Sequence, residues 1–83
     1  MTWTWEYDPS EEHVVHGAPL ALVAEVERKA DELVRAAAAL HLHGSADTGH
    51  SPGGGTALVP GGMFEYQVIP RHERVYVMQI TGW

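Results

Sequence analysis

Residues 2–7, TWTWEY, alternate strictly: Trp3, Trp5 and Tyr7 share one face, and Thr2, Thr4 and Glu6 share the other. A period of two with aromatic and β-branched residues predicts a half-buried strand. The pattern stops at Asp8-Pro9-Ser10-Glu11. That run reads as a helix start, with Asp8 as N-cap, Pro9 in the first helical position and Glu11 completing a capping box. Gly17-Ala18-Pro19 cuts this helix short. A second helix is predicted from near Pro19 to His43, ended by Gly44 in the left-handed conformation. Leu22, Val26, Ala30, Leu33, Ala37 and Leu40 recur every three or four residues, and Val23 and Val34 widen the stripe. At helical spacing these positions fill an arc of about 120°, the width of a core-facing surface. Arg28, Asp31, Glu32 and Arg35 lie opposite, and Glu25–Lys29, Arg28–Glu32 and Asp31–Arg35 are spaced for ion pairs one turn apart.

Residues 44–62 hold seven of the nine glycines and read as a loop, within which Ala57-Leu58-Val59 is expected to form a short edge strand ended by Pro60. The run Ser51-Pro52-Gly53-Gly54-Gly55 is expected to be mobile. The chain closes with two strand-like runs. Taking Pro70–Arg74 as a five-residue loop sets Ile69 opposite Val75, Phe64 opposite Ile80, Tyr66 opposite Met78 and Val68 opposite Tyr76. Those last six side chains would share a core face, and a one-residue slip would mix polar and apolar positions on both sides. The other face would then carry Glu65, Gln67, Val77 and Gln79, with Ile69 and Val75 near the turn and Thr81 at the far end. The predicted fold is α+β: a small, mainly antiparallel sheet, made of the N-terminal strand and a C-terminal hairpin or meander, with two helices on one face.

Composition narrows what such a sheet is for. Eighty-three residues make one small domain, and no apolar run approaches the roughly 18 residues of a membrane span. The acidic start lacks a basic n-region, so no signal peptide and a cytoplasmic address are expected. The absence of cysteine excludes disulfides, thiolate metal sites and cysteine nucleophiles. Five Lys+Arg against eleven Asp+Glu give a net charge of −6, which argues against strong nucleic-acid binding. The six histidines begin to charge only below about pH 6.5.

The order of these elements, with "YDP" after the first strand, a broken helical pair ending at glycine and a closing "YQV…RVYVMQITG" hairpin, resembles the RelE/ParE family of bacterial toxins. The resemblance covers most of the chain. It implies a neighbouring antitoxin as partner, and a target that is messenger RNA in the ribosomal A site for the RelE-like branch or gyrase for the ParE-like branch. The basic residues of the RelE-like pattern are missing. Gln67 stands where "YRV" has arginine, Gly82-Trp83 where a histidine or tyrosine plus arginine is usual, and the one lysine, Lys29, lies in the long helix. No catalytic residue is therefore carried over. Phosphoryl transfer gains most from cations aimed at developing negative charge, and Glu65, Gln67 and Gln79, beside Thr4 and Glu6, supply none.

The expected partner-binding residues are thus Glu65, Gln67 and Gln79, together with Trp83 as an exposed indole anchor. Arg71, His72 and Arg74 form one basic cluster that can clamp an anion, unless Glu73 neutralises a solvated turn. Trp3 and Trp5 are expected to anchor the core. His13 and His16, His41 and His43, and His50 carry no recognisable ligand motif, so neither a metal nor another cofactor is expected. Ser10, Ser45 and Ser51 suit caps and turns. The leading expectation is a protein-binding module resembling the toxin component of a toxin–antitoxin pair, without nuclease activity. The alternatives are a ribosome-dependent endoribonuclease using Arg71, His72 and Arg74, and a homodimer with Trp83 in its interface.

Overall fold

The computed structural model of the chain describes residues 3–40 and 54–83. Its elements are β1 (Thr4–Tyr7), α1 (Glu11–Val15), α2 (Leu20–Leu40), β2 (Gly54–Val59), β3 (Gly62–Ile69), a single 3₁₀ turn at Pro70–His72, and β4 (Arg74–Gly82). The four strands form one sheet in the order β1-β4-β3-β2, with β1 parallel to β4 and the other pairs antiparallel. Both helices lie on one face, as the α+β reading expects. No described helix is long and apolar enough to cross a membrane.

Helix α1 starts two residues later than the capping-box reading places it. Ser10, not Asp8, is the N-cap: its extended backbone turns Oγ toward the His13 N–H, which donates at 3.2 Å, and Val14 N–H closes the first turn on the Ser10 carbonyl. Helix α2 buries most of the predicted stripe, with Val26 and Ala30 fully covered and Leu33 and Val34 half-buried, but Leu40 at its last position is 74% exposed. On its outer side Arg28 pairs with Glu25 and Glu32, and Lys29 with Glu32. Asp31 instead turns toward β1, where Trp5 Nε1 donates to it at 2.9 Å. The predicted helix end at His41–Gly44, the paired His41 and His43, His50, and Ser45 and Ser51 lie outside the described residues.

The core has two adjoining parts. Leu22, Val26 and Ala30 meet Phe64, Val77 and Ala57, while Ala37 and Ala38 meet Trp3 and Val75. Trp5 packs against both parts, and its ring stands at 89° to that of Tyr7, with centroids 5.0 Å apart.

The edge strand is longer than the composition predicts, because Gly54, Gly55 and Thr56 extend it from Ala57. Two glycines at a strand start cost chain entropy. Here the Tyr66 ring lies over Gly55, near enough that a Cβ there would sit 3.2 Å from its hydroxyl. Of the run expected to be mobile, Gly54 and Gly55 are thus strand, and residues 51–53 are not described.

The closing hairpin departs most from expectation. The turn contains Pro70–Glu73, Glu73 adopts a left-handed conformation (φ 52°, ψ 48°), and Arg74 already pairs with Ile69. The strands meet as Ile69–Arg74, Val68–Val75, Gln67–Tyr76 and Tyr66–Val77, then as Glu65–Gln79 and Phe64–Ile80. Met78 is the extra residue of a β-bulge between these blocks. Only the Phe64–Ile80 half of the predicted register is present. Turnward of the bulge every β4 side chain is inverted. Val75 and Val77 are fully buried rather than outward, and Tyr76 faces out rather than in. Met78 is half-buried and joins neither part of the core. The physical reason is burial: two valines flank Tyr76, and the bulge lets both of them and Ile80 reach the helices.

Candidate functional site

The sheet face turned away from the helices is the candidate site. Because directly paired residues point to the same side, the registers assemble it row by row. At the turn end Ile69, Arg74 and Thr4 lie side by side, followed by Gln67, Tyr76 and Glu6, and then by Thr56, Glu65 and Gln79. The last row is Leu58, Met63 and Thr81. Of the four predicted partner-binding residues, Glu65, Gln67 and Gln79 are therefore brought together, with Gln67 half-buried and the other two exposed.

Trp83 is not on this face. Its N–H is held by the Gly61 carbonyl at 3.0 Å. Its indole, 75% exposed, stands at the rim of a cleft of about 420 Å³ between the α1–α2 elbow and the end of the sheet. Val14, Leu22, Ile80, His16 and Pro19 also line that cleft.

The expectation that the open face lacks a cation is corrected. The four-residue turn starts β4 at Arg74 and points its guanidinium over β1, where Nε lies 3.7 Å from a Glu6 carboxylate oxygen. Arg74 Nη1 also donates to the His72 and Glu73 carbonyls, at 3.4 and 3.3 Å. The His72 Nδ1 and the Tyr76 hydroxyl are 3.0 Å apart, with the rings edge-to-face. Tyr76 is the residue that sequence reasoning missed. Its alternation with Val75 and Val77 carried the signal, but continuing the register through Met78 assigned it to the core. Of the basic cluster, His72 and Arg74 are placed beside Tyr76, and Arg71 is exposed on the 3₁₀ turn.

Summed over the face, Glu6 and Glu65 outweigh Arg74 by one charge, and the Arg74 charge is already offset by Glu6. Hydroxyls and amides (Thr4, Thr56, Gln67, Gln79) lie among apolar and aromatic groups (Leu58, Met63, Ile69, Tyr76). Such a surface can pair side chains with another protein, and a phosphodiester would find little surplus positive charge there. Among the described residues no three metal-ligating side chains converge.

On the covered side, the Tyr7 hydroxyl donates to Glu27 at 3.0 Å. Burial, together with that carboxylate, pushes the Tyr7 phenol well above its ordinary range. Tyr7 and Trp5 thereby tie β1 to α2, and β1 supplies Thr4 and Glu6 to the open face.

No family model matches the chain, and neither a curated protein nor a solved structure matches it.

Proposed function

We propose that this chain is a small cytoplasmic protein-binding module of the kind found as the toxin component of RelE/ParE-like toxin–antitoxin pairs, and that its open sheet face receives an antitoxin-like protein. The observation that carries the reading is the make-up of that face. Tyr76, Met63 and Arg74 are residue types enriched at protein interfaces, and they stand among amides and hydroxyls with no surplus of cations. The strand–helix–helix–strand–strand–strand order supports the family resemblance. Co-expression with the product of a short adjacent reading frame is the test. A stoichiometric complex should form, and Gln67→Arg combined with Gln79→Arg should weaken it by tenfold or more, about 1.4 kcal/mol. No complex, or one indifferent to both changes, sinks the reading.

One observation favours a second reading, a ribosome-dependent endoribonuclease. An imidazole, a phenol and a guanidinium meet at one end of the face in His72, Tyr76 and Arg74. Cleavage of ribosome-bound message that His72→Ala and Arg74→Ala each abolish would establish this reading instead.

A further inference from the structure

The cleft beneath Trp83 is separate from the open face and calls for its own account. We infer that it is a self-association site, in which the Trp83 indole of a second copy inserts across a two-fold axis. Two large apolar side chains at this end stand in water: Leu20 is 86% exposed and Trp83 75%. Leu20 opens α2 directly after Pro19, one of the residues lining the cleft. Leu20 is not itself part of the lining, and an exposed indole on a concave surface marks an interaction site.

A second copy is favoured as occupant on three grounds. A two-fold interface needs knob and hole in the same patch, and here the indole borders the cleft it would fill in its partner. The cleft, about 420 Å³, lies within the roughly 300–1,000 Å³ of pockets that take drug-sized groups, so an indole fits with room for its neighbours. Charge decides between surfaces. The chain carries −6, so two copies repel wherever carboxylates would be juxtaposed, as Glu6 and Glu65 would be if open faces met. His16 is the single titratable side chain among the described cleft residues.

The motion required is small. The Trp83 backbone is pinned to Gly61, so only the two side-chain torsions need change, and an indole loses little entropy on being fixed. Two indoles, two Leu20 side chains and two cleft walls would remove on the order of 1,000 Å² from water, the lower limit of a specific interface. The contact is expected to be weak. It leaves the open face free for its partner.

Sedimentation equilibrium of the full chain, from micromolar to millimolar concentration, tests this. The wild type should approach twice the 9.1 kDa chain mass at the upper end. Trp83→Ala and, separately, Leu20→Glu should each raise the dissociation constant about tenfold or more. Both changes fall on exposed side chains, and circular dichroism checks that the fold is kept. Gln79→Arg, on the open face, should leave the dimer unchanged. A wild type of single-chain mass throughout, which would leave the cleft to another ligand, overturns the inference without touching the open-face reading. So does a dimer that survives both cleft substitutions.

Discussion

At the residue scale, one close approach and one half-buried hydroxyl hold the helices to the sheet. Gly62 and Gly82 pair across β3 and β4 directly under Leu22. A methyl at Gly62 would overlap the Thr81 carbonyl oxygen and come within 3.0 Å of Leu22 Cδ1. Backbone cannot yield as a side-chain tip can, so Gly62→Ala should cost about 2–3 kcal/mol in a urea titration. A change under 0.5 kcal/mol would show that α2 stands further off the sheet. Tyr7 makes a pH-dependent contribution. Its folded-state pKa is raised above the unfolded value near 10, so the neutral phenol belongs to the folded state. The associated stability is present below about pH 10 and is lost as pH rises beyond it. Tyr7→Phe, which lacks the hydrogen bond to Glu27, should be about 1 kcal/mol less stable at pH 7. As pH rises above 10 the wild type should lose that lead. A gap constant to the most alkaline pH would mean that Tyr7 titrates alike folded and unfolded.

At the scale of elements, β4 decides which chemistry the open face presents. Without the bulge at Met78 the strand would send Val75 and Val77 outward and bury Tyr76. With it, the valines reach the core and the phenol meets His72. Deleting two buried methyl groups from Val77, which is fully covered, should cost about 2–3 kcal/mol as Val77→Ala. Tyr76→Ala, on the outer face, should cost about 1 kcal/mol or less. The reverse ranking in thermal or chemical denaturation would restore the unbroken register. The same strand explains what the chain discloses of its fold. Strict alternation in TWTWEY and the Leu22–Val26–Ala30 spacing each follow one period, so β1 and α2 are legible and the α+β layering follows from them. A bulge adds one residue with no change in composition, and glycine shielded by Tyr66 looks like glycine in a loop, so Met78 and the start of β2 were not legible. The site inherits that limit. Gln67, Glu65 and Gln79 lie on its readable side, while Arg74 and Tyr76 reach the face only through the turn and the bulge.

At the scale of the whole molecule, the placement of five cations sets the limit on what the open face can bind. Arg28, Lys29 and Arg35 lie on α2, behind the sheet, which leaves Arg71 and Arg74 at the turn. Binding to a single-stranded nucleic acid weakens with salt by a slope of about 0.7 per phosphate neutralised. If each of the two arginines engaged one phosphate, the slope would reach only about −1.4. Any affinity would also be reduced by the Glu6 carboxylate already facing Arg74. Fluorescence anisotropy of a labelled single-stranded RNA should therefore show little binding near 150 mM salt. Whatever appears at low salt should follow a slope no steeper than about −1.4, and Arg71→Ala with Arg74→Ala should remove it. A slope near −2.8, about four phosphates, would require two cations from α2 to share the contact, which the sheet forbids from this side. It would mean that RNA binds across the helices, and that the open face is not where this protein meets nucleic acid.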